Sequence, residues 1–350
     1  MKLVCIFVVY LAYMWHGSCI FTEQRPNDMI ALNKFRTLID LFTYFAEEKT
    51  CRQYLEEMRW QGKLKCPYEE CGHDHIYKSA DGKVYKCAKC RRVYSVKVGS
   101  IFEDSKISLK KWFATIYLVT SHKNGISSIQ LGKDIGVSQK CAWFMLHRIR
   151  HTLGFKGEEK LSGTVEADET FMGGAEKNKH KNKRTENTQG RSVATKSAVA
   201  GVISRGGELR ANKIVDTSGA NLRHYVVNNV EFGSKLMTDE WTGYNGLAQL
   251  FHHKIVRHNA NEYVVDDIHT NSLEGFWSLL KRGVDGTYHS ISKKHLQQYL
   301  DEFSFRYNTR NFSESGRFDA MLNRINTHIT YKKLTENNNP IQPQQGTLNI

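Results

Sequence analysis

The strongest constraint on this chain is a group of four cysteines. Cys66 and Cys71 are separated by four residues, Cys87 and Cys90 by two, and fifteen residues lie between the pairs. Two close pairs on turns can set four thiolates at the corners of a tetrahedron, the geometry zinc takes in structural sites. Pro67 and Gly72 supply the turn chemistry, and Val84–Lys86 and Arg92–Val98 read as flanking strands. Residues 64–100 are therefore expected to form a zinc ribbon. The other cysteines, Cys5, Cys19, Cys51 and Cys141, are dispersed, a pattern of metal binding in a reducing compartment and not of a disulfide framework.

Composition adds a partner class. The chain has 350 residues, 40% of them hydrophobic and 11% aromatic, with 50 Lys+Arg against 36 Asp+Glu for a formal charge of +14. That apolar content specifies a folded protein, and the absence of an 18-residue apolar run excludes a multi-pass membrane protein. The positive excess points to a polyanion, most simply nucleic acid. It is unevenly spread: Gly82–Val98 holds Lys83, Lys86, Lys89, Arg91, Arg92 and Lys97 with no acid. Basic side chains on a rigid zinc scaffold make a phosphate-contact surface.

The first residues disagree with this picture. Lys2 precedes an apolar stretch, Leu3–Trp15, followed by Gly17 and Ser18, which resembles a secretory signal. Because everything downstream reads as a nucleic-acid-binding protein of the cytoplasm associated with the nucleoid, residues 1–28 are read as an over-extended start, with Met29 as initiator. A secreted zinc protein is the rival that the leader alone supports.

Residues 29–63 read as helices: Phe35, Leu38, Ile39, Phe42 and Phe45 follow helical spacing, and Thr50 with Gln53 form an expected capping box for a second helix. Residues 101–158 are helical again. Within them, Ile135-Gly136-Val137 makes a tight turn and Ser138 a natural N-cap, the pattern of a helix-turn-helix. Its second helix is expected to turn Ala142, Met145 and Ile149 inward and to present Gln139, Lys140, His147, Arg148 and Arg150 to a DNA groove.

From residue 163 short β-branched runs alternate with helical patterns, the signature of an α/β domain. Strands are expected at Gly163–Asp168, Ser197–Ser204, Glu208–Asp216, Lys235–Asp239 and Lys254–His258. Helices are expected at Ala220–Val230, Gly243–Phe251, Asn271–Arg282 and Lys293–Tyr307. The tail, 326–350, turns to Asn, Gln and Pro and is read as disordered.

Two acids sit at strand ends, Asp168 and Asp239, and buried carboxylates must pair or coordinate. A third, Glu274, lies on a helix seven residues before Lys281, two turns and hence one face, with Asn271 three residues earlier. Two strand acids and one helix acid can hold two divalent metals about 3.5–4 Å apart for in-line phosphoryl displacement. Glu166, Glu169, Glu240, Asp266 and Asp267 read as solvated or ion-paired neighbours, and Trp277 as a core anchor.

Together these stretches resemble the zinc-ribbon DDE transposases of bacterial insertion sequences, with an ISXO-type catalytic domain. The matching blocks are CPYEECG…YKCAKCRRVYSVKVGSIFEDSKISLKKWF, VEADETFMGG with KNKHKNKR, MTDEWTGY, and HTNSLEGFWSLLKRGVDGTYHSISKKHLQQYLDEFSFRYNTR, over about residues 32–325. The resemblance implies an α/β ribonuclease H-like mixed five-stranded sheet with flanking helices over 159–325, preceded by the ribbon and the helix-turn-helix region. Its sheet would run three antiparallel strands, then two helix-linked ones. It also implies that Asp168, Asp239 and Glu274 are the catalytic acids and hold Mg2+, for which Mn2+ can substitute, with Lys281 the accompanying base. Some members carry Asn at the third position, where Asn271 is the alternative. Glu274 is preferred because a carboxylate binds metal better and keeps the spacing to Lys281.

The insertion Gly173–Lys196 would carry a basic run, Lys177, Lys179, Lys181, Lys183 and Arg184, which reads equally as a solvated face or as a strand clamp beside the site, and Arg282 would join the DNA path. Zn2+ would be structural, at Cys66, Cys71, Cys87 and Cys90. The implied partners are terminal inverted repeats, target DNA and further copies of the chain in a synaptic complex, with no membrane. The implied activity is phosphodiester hydrolysis followed by transfer of 3′-hydroxyl ends. The rivals are a non-catalytic regulator derived from a transposase and a nuclease without strand transfer.

Overall fold

The computed structural model describes residues 34–154, 157, 159–174, 180–183, 195–256 and 269–336. The leader with Met29, Asp266, Asp267, most of the basic insertion (Lys177, Lys179, Arg184 and the Lys183 side chain) and the tail beyond 336 lie outside the described residues. Among the described residues, no helix is long and apolar enough to cross a membrane.

The chain opens with α1 (Leu38–Tyr44) and α2 (Glu48–Trp60). The capping box is at α1, where Thr37 and Asp40 exchange side-chain and backbone bonds. The expected box at Thr50 and Gln53 is not a helix start, because α2 begins at Glu48 and runs through both. Strands β1 (Ile76–Lys78), β2 (Tyr85–Cys87) and β3 (Val93–Tyr94) form a small antiparallel sheet. Its inner face sets Tyr85 and Tyr94 against Trp60 of α2, with ring centroids 5.2 and 6.4 Å away.

Helices α3 (Leu109–Ser121), α4 (Ser128–Ile135) and α5 (Gln139–Thr152) follow. Gly136, at φ 64°, closes α4 in the left-handed region, and Ser138 caps α5 by accepting from Cys141 N. Gly132 is required because a Cβ there would sit 2.9 Å from the Val137 carbonyl oxygen. The expected two helices and tight turn are therefore present, but the basic front is not. His147, Arg148 and Arg150 are buried. Arg148 donates to the carbonyls of Ile101 (2.7 Å) and Ile329 (3.2 Å), and Arg150 pairs with Glu302. The second half of α5 is enclosed by other helices, so period-3.6 reasoning found its apolar stripe but not the elements covering its polar side. Gln139 and Lys140, in its first turn, remain exposed.

A five-stranded sheet is built from β4 (Thr164–Met172), β5 (Ser197–Ser204), β6 (Leu209–Lys213), β7 (Lys235–Thr238) and β8 (His252–Ile255), in the order β6-β5-β4-β7-β8. The first three pair antiparallel, and β7 and β8 join parallel beside β4. Helix α6 (Gly219–Asn229) covers one face, where Val165, Ala167, Ala200 and Val202 meet Leu222 and Val226. Helices α7 (Asn271–Gly283) and α8 (Leu296–Asn308) cover the other, where Val199, Ile203 and Leu209 meet Phe276, Leu280, Leu300 and Phe303. The expected helix over Gly243–Phe251 is instead two single 3₁₀ turns, Thr242–Tyr244 and Leu247–Gln249, divided by Gly246 at φ 92°.

The outer edge of β6 is sealed by side-chain amides. Asn308 bonds both backbone groups of Leu209, and Gln297 bonds Lys213 N and the Ala211 carbonyl. After α8 the chain returns to the amino-terminal core through α9 (Glu314–Leu322), whose Phe318 packs edge-on against Phe35 and Phe113. Part of the segment read as disordered is ordered: α10 (Tyr331–Thr335) follows, with Ile329 and Leu334 buried. These two apolar anchors were outweighed in the sequence by the polar residues beyond them.

Candidate active site

The site forms where β4 outruns its neighbour. The parallel pairing of β4 with β7 covers only Thr164–Glu166, so Asp168 and Glu169 project past the end of β7. There they meet Asp239, the residue immediately after that strand. One carboxylate oxygen from each of Asp168, Glu169 and Asp239 lies within 4.8 Å of the others. Asp168 accepts from Glu169 N (2.8 Å) and Asp239 from Trp241 N (3.1 Å). Glu169 accepts from the Tyr244 hydroxyl at 2.9 Å.

Helix α7 closes the site from the other side. Trp277 Nε1 donates to Asp168 Oδ2 at 3.0 Å. Its ring reaches that oxygen by crossing β5 at Gly201, the residue directly paired with Asp168. A Cβ at position 201 would stand 2.7 Å from the Trp277 ring, so the helix can seat only over a glycine.

The grouped carboxylates are compatible with a divalent cation. Burial, then the charges of Glu169 and Asp239, push the Asp168 carboxyl up to about 7. A shared Mg2+ about 2.1 Å from each oxygen keeps its ligands within about 4.2 Å of one another, so the observed group needs only slight closure. The residues fit a divalent metal. The ribbon cysteines fit zinc: Sγ atoms stand 3.7 Å apart for Cys66–Cys90 and for Cys71–Cys87. That is about the edge of a tetrahedron with Zn–S bonds of about 2.3 Å.

The structure thus brings Asp168 and Asp239 together, and with them Glu169, which by sequence alone reads as a solvated or ion-paired neighbour. Glu274 and Asn271 stand outside this group. Glu274 is exposed on α7, and its Oε1 accepts from Thr270 Oγ1 at 3.0 Å. Lys281, Arg282 and Lys181 are exposed. Trp277 is buried as expected, but its indole also serves the site. The signals were present: an acid beside an acid at 168–169, and a glycine inside the β-branched run of β5.

Two family models match the chain. Residues 160–308 match the ISXO2-like transposase domain, and residues 46–93 match the transposase zinc-ribbon domain, more than half of the chain together. The chain belongs to the zinc-ribbon transposases of the ISXO2-like type. A Halobacterium salinarum protein, described as an uncharacterized protein in transposable element ISH50, is 27% identical over 274 residues. The match covers 75% of this chain and 91% of that one. In this transposase-family chain, the domain match begins just before β4 and ends with α8, so it encloses the sheet and the whole acidic group.

Proposed function

We propose that the chain is a DNA transposase whose sheet is ribonuclease H-like, cutting at terminal inverted repeats and transferring 3′-hydroxyl ends to target DNA. The observation that carries this is the docking of Trp277 on Asp168 beside Asp239. It sets α7 against the acids at the end of a sheet whose order is three antiparallel strands and two helix-linked parallel ones.

The same contact supports the assignment on α7. A helix advances about 100° per residue, so Glu274 and Lys281 lie about 60° and 40° from Trp277, whereas Asn271 lies about 120° away. Glu274 is therefore the third acid, one turn before the Asp168 contact, and Lys281 the base, one turn after it. Asp168, Asp239 and Glu274 would hold two Mg2+ ions, with Glu169 as a further donor, and the ions would supply charge neutralisation at the phosphoryl group. Trp277 at Oδ2 and the Glu169 amide at Oδ1 fix the Asp168 carboxylate, and Lys281 contacts the strand backbone.

DNA is drawn by exposed basic groups: Lys86, Lys89 and Arg91 on the ribbon, Lys140 at the start of α5, Lys181, and Arg282 beyond the site. Joining two ends requires two sites, so the working form is a homo-oligomer.

The test uses duplexes carrying the DNA that flanks the gene, with 3′ ends already cut, in Mg2+. Wild type joins them to target DNA, and Asp168→Asn binds but does not join. Cleavage of the matching uncut duplexes without joining of the pre-cut ones would identify a nuclease, and binding alone a regulator.

A further inference from the structure

We infer that Glu166 is a positioning residue, the anchor that sets α7, and with it Glu274 and Lys281, in register with Asp168. This rests on the metal-site reading above.

Glu166 is fully buried in β4, two residues before Asp168 and on the same face. Its carboxylate accepts from Ser272 N (3.0 Å), Ser272 Oγ (3.0 Å) and Leu273 N (3.2 Å) in the first turn of α7, where Leu273 N is shared with the Thr270 carbonyl at 3.1 Å. Arg205, from the β5–β6 turn, donates its Nε to Glu166 at 2.9 Å and an Nη to the His269 carbonyl at 2.9 Å. His269 Nδ1 lies 3.3 Å from the same carboxylate. A carboxylate is thus buried to hold the entry to one helix.

The spacing gives the arrangement its purpose. Residues two apart on a strand are about 6.7 Å apart, and the four to five residues from Ser272–Leu273 to Trp277 advance about 6–7.5 Å. Strand and helix therefore touch at two matched points, Glu166 at the first turn of α7 and Asp168 at Trp277. Glu274 lies between them. Apolar packing of α7 on the sheet is non-directional, and the two polar contacts specify its axial position. Glu166 itself is enclosed and faces the helix backbone, so it acts on the metal ligands only through α7.

The experiment is a Mn2+ titration of the full chain, followed by loss of the free-ion paramagnetic resonance signal, with thermal unfolding measured alongside. Asp168→Asn abolishes binding at the site. Glu166→Gln raises half-saturating Mn2+ about 10- to 100-fold, the usual effect of losing a partner behind a ligand. Arg205→Gln does the same, and the double variant is no worse than the poorer single one, because both act through one clamp. A purely structural role would lower the unfolding midpoint and leave Mn2+ affinity unchanged.

A folded Glu166→Gln chain with wild-type Mn2+ affinity, beside an Asp168→Asn chain that has lost it, overturns the proposal. If Glu166→Gln does not fold, Arg205→Gln is read in the same way. Undiminished binding in Asp168→Asn refutes the metal site itself, and this inference falls with it.

Discussion

Replacing Arg150 by alanine separates a DNA contact from a structural one. Glu302 is fully buried in α8 and pairs with Arg150 of α5 and Arg306 of its own helix, and it accepts from the Tyr288 hydroxyl at 2.9 Å. Burial pushes the Glu302 carboxyl up, and the two guanidinium groups more than reverse this, bringing it from 4.5 to about 2. A depression of that size corresponds to about 3 kcal/mol of stability. It is present above pH 4.5 and lost as pH falls through about 2. Removing one partner of a buried ion pair costs about 3–5 kcal/mol, because the other charge is left uncompensated. Arg150→Ala and Glu302→Gln should therefore each lower the unfolding midpoint by about 5–8 °C. Glu302→Gln should also flatten the loss of stability between pH 4.5 and 2. The assay pairs thermal and urea unfolding by circular dichroism with gel-shift binding, using Lys140→Ala as the contrast. That variant should weaken DNA binding and leave the midpoint within about 1 °C, as expected for an exposed site. An Arg150→Ala chain as stable as wild type but defective in DNA binding would refute this reasoning and restore Arg150 to the groove.

Three further predictions concern the metal sites. Gly201→Val should unseat Trp277 from Asp168 and eliminate Mg2+-dependent joining while DNA binding in a gel shift persists. Because the Asp168 carboxyl is raised to about 7 from 3.8, the metal-free chain should lose stability as pH rises through that window, by up to about 4 kcal/mol. Asp168→Asn should remove the slope, and Mn2+ should restore wild-type stability above pH 7, both read by thermal unfolding. Cys87→Ser should lower the zinc content measured by mass spectrometry from one per chain and expose Trp60, which shows as a red shift of its fluorescence.

What could be read beforehand followed from local chemistry. Four cysteines at fixed spacing have few uses other than zinc, and the bounds of β5 are legible because Ala198–Ile203 is a continuous apolar run between serines. Asp239 does follow the end of β7, whereas β4 runs on to Met172 and leaves Asp168 inside the strand; both stand out because a carboxylate in or beside an apolar strand lacks a packing explanation. The misjudged residues share one cause. Arg148, Arg150 and Glu166 are charged, and a charge on a patterned element reads as exposed unless its partner is known. Those partners lie far along the chain: Glu302 and Ile329 for the arginines, Ser272 and Arg205 for Glu166.

The sequence by itself determined the ribbon, most of the element types, the basic character and two members of the acidic group, because each depends on residues within one turn or one strand. Only the tertiary structure decided which charges face DNA and which hold the core, that Glu169 joins the acidic group, and that Gly201 admits Trp277 to Asp168. Those outcomes depend on contacts between residues some thirty to 180 positions apart, where burial, and not local pattern, sets what a side chain can do.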